Sequence, residues 1–238
     1  MNKKEKYGIH SFVRNNHENK KPFIISLFHV NKNFAHKKAL IDITFNVAYN
    51  ELLVINGPSG SGKSTLLKLF YLKESVSKGQ ILINGINLSR IHKKKLSSFR
   101  KNFGIIFQDC KLIPAKTVFE NIAIILKIVG KSKQLILQRV NDVLEMVGLE
   151  EKKDLFPDSL SFCEQKIIAA ARAVVGRPKI LIADEPFLGM DCKSADIIAN
   201  LIKRCHQHGS TVIIATHDKE LINKTGGRLI RLDQGQLT

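Results

Sequence analysis

The sequence predicts an α/β fold built on a parallel core sheet, and three observations carry that prediction. Short runs rich in Ile, Val and Phe alternate with helical patterns along most of the 238 residues. A glycine-rich stretch, residues 57–65, stands between an apolar strand and an amphipathic helix. A later apolar run, Ile180–Ala183, ends in two acids, Asp184 and Glu185, as a buried strand does when its carboxyl end opens onto a cleft.

Residues 1–22 are polar and basic, close on Lys20-Lys21-Pro22, and are expected to form a mobile extension ahead of one domain over 23–238. Three β-rich runs follow, Ile24–Val30, Ile41–Val47 and Glu51–Asn56, each bounded by turn or charged residues. After the glycine-rich stretch, Leu66, Leu67 and Phe70 share one helix face. The pattern is helical from about Val118 to Gly148: Ile136, Val140, Val143, Leu144 and Val147 recur at helical spacing, and Gly148 is placed to end the run. A further helix is expected over Ser161–Val175, so that residues 109–172 form a helical insertion. Two buried-type strands, Lys179–Ala183 and Thr211–Ala215, flank a helix near Ser194–His206. A last strand, Arg228–Leu232, leads into a turn at Asp233-Gln234-Gly235.

Composition is that of a globular chain, 44% hydrophobic and 25% charged, but the net charge is +17. The excess is uneven: 21 Lys/Arg against 7 Asp/Glu in residues 1–120, and 17 against 14 thereafter. Such asymmetry fits nucleic acid, an anionic membrane face, or simply solvated lysines. No helix-turn-helix, zinc-finger spacing or RNA-binding aromatic motif supports the first. Lys93-Lys94-Lys95 could meet lipid headgroups or only water. Cys110, Cys163, Cys192 and Cys205 form no CxxC pair or metal spacing and read as reduced thiols. The polar N-terminus lacks the apolar stretch of a signal peptide, and no apolar run approaches the ~18 residues of a membrane span. A membrane role therefore requires a partner.

The chemistry starts at Gly57-Pro58-Ser59-Gly60-Ser61-Gly62-Lys63-Ser64-Thr65, which satisfies GxxxxGK[ST] in the right strand–helix context. Glycines let the backbone turn tightly and aim several N–H groups at one phosphate chain, and the helix N-terminus adds its partial positive charge. Lys63 supplies a point charge for the β- and γ-phosphates, and Ser64 a hydroxyl for Mg²⁺. Asp184 is placed to hold that Mg²⁺, and Glu185 to polarise an attacking water. Gln108, after Ile105-Ile106-Phe107, and His217, after the strand at 211–215, would alone be ordinary polar residues at strand ends.

Taken together these residues resemble the nucleotide-binding domain of ABC ATPases over nearly all of residues 24–237. The resemblance implies a P-loop fold with a parallel core sheet, an N-terminal antiparallel β subdomain and a helical insertion. Gly57–Thr65 is similar to the Walker A loop, and Ile180–Glu185 to the Walker B strand with its catalytic glutamate. Gln108 resembles the Q-loop residue, a further Mg²⁺ ligand with Ser64 and Asp184, while Asp191 resembles the D-loop aspartate and His217 the switch histidine. Phe34 sits where the family stacks an aromatic ring on adenine. Leu160-Ser161-Phe162-Cys163-Glu164-Gln165 lies where the signature loop is expected, and Ala171-Arg172-Ala173 follows it as in the family. Phe107-Gln108-Asp109 and Thr117-Val118-Phe119-Glu120-Asn121 are similar to the FtsE branch, whose ATPase works with the integral membrane protein FtsX in cell division. The resemblance therefore implies ATP and Mg²⁺ as ligands, a homodimer on nucleotide binding, and a peripheral position on the cytoplasmic face of the membrane. It also implies an FtsX-like permease docked near Gln108–Lys131.

Two segments depart from the family pattern. Phe162 and Cys163 stand in place of two signature glycines, whose lack of side chain permits close backbone approach to the other subunit's ATP. Phe187-Leu188-Gly189-Met190-Asp191 replaces a more polar D-loop stretch. The expectation is that MgATP binding is kept while hydrolysis is slow or needs a partner. Three other readings stay open: the ATPase of a lipoprotein-release or export transporter, a nucleotide-gated module with negligible catalysis, and a nucleic-acid-linked ABC protein. Against the last stand a single phosphate loop and the lack of sustained heptads.

Overall fold

A computed structural model describes residues 23–35, 37–218 and 226–238; the expected extension over 1–22 lies outside them. The chain opens with β1 (Phe23–Phe34) and β2 (Lys37–Ala48), then β3 (Leu52–Asn56), α1 (Lys63–Phe70), β4 (Lys78–Ile83), β5 (Ile86–Asn87), α2 (Lys93–Arg100) and β6 (Phe103–Ile106). Helices α3 (Val118–Ile128), α4 (Lys133–Val147) and α5 (Phe162–Val174) follow, then β7 (Ile180–Asp184), α6 (Cys192–Gln207), β8 (Thr211–Thr216), β9 (Arg228–Asp233) and β10 (Gln236–Leu237).

Two sheets result. A four-stranded antiparallel sheet has the order β2-β1-β4-β5, and a six-stranded sheet the order β10-β9-β3-β8-β7-β6. In the larger sheet β9, β3, β8, β7 and β6 run parallel, and β10 adds an antiparallel edge. Strand side chains alternate between the two faces. Ile180 and Ile182 of β7 join Leu53, Ile55, Ile213 and the α1 residues Leu66, Leu67 and Phe70 in a core shared with the antiparallel sheet. Leu181 and Ala183 face the opposite way, into a second core built from α3 to α6. Both faces are dry, which is why these strands read as unbroken apolar runs.

The helices end where their chemistry directs. Thr117 and Glu120 form a reciprocal capping box at the start of α3, and Ser132 caps α4 by accepting from Leu135 N–H. The expected single helical stretch over 118–148 is two helices, broken at Gly130 (φ 76°). Gly148 stops α4 in the left-handed conformation (φ 68°). Ile136, Val140, Val143, Leu144 and Val147 are all buried, as their spacing predicts. None of the four cysteines is in a disulfide. Among the described residues no helix is long and apolar enough to cross a membrane. Lys93, Lys94 and Lys95 open α2 and are exposed.

Candidate active site

Four adjacent parallel strands deliver the sequence-predicted residues to one edge of the sheet. β3 ends at Asn56 before Gly57, β8 at Thr216 before His217, β7 at Asp184 before Glu185, and β6 at Ile106 two residues before Gln108. Their carboxyl ends line a cleft of ≈ 330 Å³ that takes in Phe34, the loop from Ser59 to Thr65 except Ser61, Gln108, Glu185 and His217. Gly57 and Pro58 line its neighbouring mouth with Ser59 and Arg231. Phe34 is half-exposed, and the Lys32 ammonium lies 4.7 Å from its ring centre. Ser61 turns inward, 3% exposed, with no hydrogen-bond partner for its hydroxyl among the described residues.

The glycines have identifiable jobs. A Cβ on Gly57 would lie 2.0 Å from the Leu232 carbonyl oxygen, so β9 can back the loop only if no side chain stands there. Gly62 precedes α1 with φ 110°, and a Cβ would meet the Ala39 oxygen at 2.6 Å. The loop is also tied to the C-terminal hairpin: Gly235 N–H donates to Ser61 O (3.0 Å), and Ile41 N–H donates to Gly235 O (2.7 Å).

Polar groups converge beneath the loop. Lys63 Nζ donates to Gly57 O at 2.7 Å and Pro58 O at 3.1 Å, and lies 3.4 Å from Glu185 Oε1. Ser64 Oγ donates to Asp184 Oδ1 at 2.9 Å. Burial holds the Asp184 carboxyl above the usual aspartate range, and the adjacent Glu185 charge pushes the same way against the Ser64 hydrogen bond. Glu185 is 9% exposed, lies 3.0 Å from His217 Nδ1, and accepts from His217 N–H at 3.3 Å. Its backbone is left-handed (φ 44°), which costs a non-glycine residue about 1–2 kcal/mol. The Glu185 N–H bond to Ala215 O, 2.8 Å, helps hold it there.

The remaining predicted residues stand apart. Ser161, Cys163, Glu164 and Asp191 do not line the cleft. Ser161 is the N-cap of α5: its hydroxyl accepts from Glu164 N–H, and its own N–H donates to Glu164 Oε2 at 2.9 Å. Lys152 bonds the same carboxylate and is the first cause of its depressed pKa. Phe162 is 53% exposed and packs beside Gly189, whose Cβ would lie 3.3 Å from the ring. Cys163 Sγ donates to Asp191 Oδ2 at 3.5 Å. Asp191 caps α6 by accepting from Ser194 N–H and Ser194 Oγ, which lowers its pKa to about 2.

Three buried polar side chains near the cleft had no role assigned from the sequence, although Arg172 and Asn121 lie in stretches that resemble the family. Lys166 is 3% exposed and donates to Leu188 O at 2.8 Å, with its ammonium 5.3 Å from the Phe162 ring centre. Arg172 donates from Nη2 to Cys110 O and from Nη1 to Lys111 O, both at 2.8 Å. Asn121, fully buried, bonds the backbone at Ile113, Lys116 and Thr117. The available signal was a cation inside the apolar run of residues 166–175, since a buried arginine needs a partner. Behind Gln108, Cys110 (φ 54°) and Lys111 (φ 50°) are both left-handed, again at about 1 kcal/mol or more each. A larger cavity, ≈ 940 Å³, opens there between Lys68, Arg100, Phe107, Asp109, Lys111 and Phe162.

A parallel sheet with a phosphate-type loop, a paired lysine and acid, and a strand-end histidine defines a nucleotide-binding cassette. A family model described as ABC transporter matches residues 40–188. The chain is 41% identical over 199 residues to the cell division ATP-binding protein FtsE of Streptococcus pneumoniae, covering 84% of this chain and 86% of that one. It is 38% identical over 219 residues to the methionine import ATP-binding protein MetN 1 of Staphylococcus aureus, covering 90% of this chain and 64% of that one. Among solved structures it is similar to the dimeric post-hydrolysis ATP-binding cassette MJ0796 bound to ADP and Pi, with TM-score 0.82, 30% identity, and 90% and 96% coverage. The chain belongs to the ABC transporter family, as an ABC ATPase domain and the ATP-binding subunit of an ABC-type complex.

Proposed function

We propose that this chain hydrolyses MgATP as a homodimer on the cytoplasmic face of the membrane, driving an FtsX-like integral permease in an FtsE-like role. The carrying observation is the cluster at the strand ends: Lys63 Nζ at 3.4 Å and His217 Nδ1 at 3.0 Å from the same Glu185 oxygen, beside the Ser64–Asp184 contact. The identity to FtsE supports the division role over lipoprotein release or export. Residues 23–238 act as one ATPase domain, with 109–172 as its helical insertion and 1–22 as a basic extension.

In this reading the loop from Gly57 to Thr65 wraps the phosphates, and Phe34 stacks on adenine. Lys63 exchanges its bonds to the loop carbonyls for the β- and γ-phosphates. Ser64, Asp184 and the Gln108 amide oxygen are hard oxygen donors of the kind Mg²⁺ takes, and a cation would offset the burial of the Asp184 carboxylate. Phosphate oxygens of the nucleotide would complete that set. When bound, Mg²⁺ would neutralise charge on the phosphates. Glu185 orients and polarises the attacking water, and His217 holds the Glu185 carboxylate and the γ-phosphate side of the cleft. Ser161, Phe162, Cys163 and Glu164 face the second subunit's nucleotide, with Asp191 at the seam. The permease docks along Gln108–Lys131, the stretch that leads from the cleft into the helical insertion.

A second reading, a nucleotide-gated module with weak hydrolysis, is favoured by one observation. The Cys163 thiol is already engaged with Asp191 of the same chain, and Phe162 projects from the surface expected to close. Steady-state hydrolysis and direct MgATP binding, alone and with the membrane partner, separate the two. Glu185→Gln should keep binding and lose about 100-fold or more of turnover. Tight binding with no turnover in either setting would establish the gated module instead.

A further inference from the structure

Gln108, two residues beyond β6, has no side-chain hydrogen bond among the described residues, so its position depends on the chain behind it. That chain doubles back through two consecutive left-handed residues, Cys110 and Lys111, neither of them glycine. Such a turn persists only when its surroundings over-determine it. The surroundings are Arg172 and Asn121. Arg172, 9% exposed and inside α5, donates to the carbonyls of both strained residues and approaches Asn121 Oδ1 at 3.4 Å. It has no carboxylate partner among the described residues, and burial pushes its pKa down. A guanidinium buried without a counter-ion is costly, and the two carbonyl dipoles are what it gains in return. Asn121 closes the far end of the same loop, accepting from Ile113 N–H at 2.8 Å.

Arg172 lies on α5, the helix whose N-cap is Ser161. One 13-residue helix therefore holds the turn behind Gln108 near one end and the Ser161–Glu164 capping box at the other. We propose that Arg172 is a positioning residue that sets Gln108 through the 110–111 turn, from the same helix that carries the Ser161–Glu164 capping box. The catalytic part of this rests on the proposed role of Gln108; the positioning part does not.

The test compares Arg172→Gln with Gln108→Ala in the full chain, using hydrogen exchange, thermal unfolding and ATP kinetics. Arg172→Gln should speed exchange of the 111–113 amides about tenfold or more while β7 and β8 stay protected. It should also lower kcat, with KM for ATP little changed, to the level of Gln108→Ala, and the double variant should be no slower than either single one. Unchanged exchange at 111–113, or a rise spread evenly over the molecule, would overturn the positioning role and leave Arg172 as core filling. Normal turnover of Gln108→Ala would remove the catalytic role of Gln108, and the exchange pattern alone would then decide for Arg172. Should Arg172→Gln not fold, Arg172→Lys, whose single ammonium cannot span both carbonyls as the guanidinium fork does, should show the same local rise at smaller amplitude.

Discussion

Replacing Gly57 by alanine adds one methyl group at the point where the phosphate loop leans on the last long strand. The new Cβ would stand 2.0 Å from Leu232 O and 2.8 Å from Ser61 Oγ. An ordinary carbon–oxygen contact is well over 3 Å, so a backbone must move by more than an ångström. Ser61 cannot yield easily, being 3% exposed, and Leu232 is itself fully buried in β9. Overpacking of this kind costs about 1–3 kcal/mol, and in a domain of this size each kcal/mol lowers Tm by about 2–4 °C. Gly57→Ala should therefore lower Tm by about 4–8 °C, taking 2 kcal/mol as the middle of that range. It should also weaken ATP binding, because the loop cannot part from β9 and keep its amides aimed at one phosphate chain. Gly60→Ala is the matched control: nothing lies within 4 Å of its Cβ, although φ is +80°. It should cost only the left-handed penalty, about 1–2 kcal/mol, and leave the loop seated. Thermal unfolding with and without ATP reads both effects. Equal Tm values and equal ATP-induced shifts for Gly57→Ala and the parent chain would refute the reasoning.

Phe162→Gly with Cys163→Gly should raise turnover about tenfold by freeing the closing surface, at about 1 kcal/mol of helix stability; unchanged kcat would mean that these side chains do not limit closure. Asp184→Asn should raise Tm by a few degrees at neutral pH, because the raised pKa means that the ionised acid opposes folding. The same variant should lose Mg²⁺-dependent turnover, and an unaltered or lower Tm would contradict it. Asp191 titrates at about 2 in the folded chain, below its ordinary value. Its contribution to stability is thus present above the ordinary aspartate range and is lost as pH falls toward 2. Asparagine is also a good N-cap, so Asp191→Asn should match the parent near neutrality and show a flatter acid limb in pH-dependent unfolding. Superimposable acid limbs would rule that out.

The core strands and the phosphate loop were legible because their determinants are local. Ile180–Ala183 is apolar throughout because both of its faces are covered, and Gly148 ends a helix by a conformation few other residues adopt. The strands β1 and β2 run several residues past the apolar stretches at 24–30 and 41–47 because partners outside those stretches extend them. Lys32 stays in β1 although it is a lysine, since Glu74 Oε2 and Ser75 O, each at 2.9 Å, satisfy its ammonium. The break between α3 and α4 was hidden by apolar spacing that continues on either side of Gly130, although Ser132 carried a capping signal. Within the site, Lys63, Asp184 and Glu185 sit next to the motifs that announce them. The roles of Arg172 and Asn121 depend on where a turn more than fifty residues before Arg172 comes to rest, and no local pattern encodes that.

The ties between Ser61, Gly235 and Ile41 bear on the order in which the molecule is made. A ribosome emits the phosphate loop early, together with the strand and helix that flank it. The carbonyl of Leu232 that backs Gly57, and the amide of Gly235 that holds Ser61, emerge far later. Domains form from their N-terminal side during synthesis, and pairings distant in sequence are slow to close. Until residue 235 has cleared the exit tunnel, the nascent chain carries a loop of the right composition with its back unsupported. Nucleotide capture should therefore wait until the hairpin around Gly235 has folded against the loop.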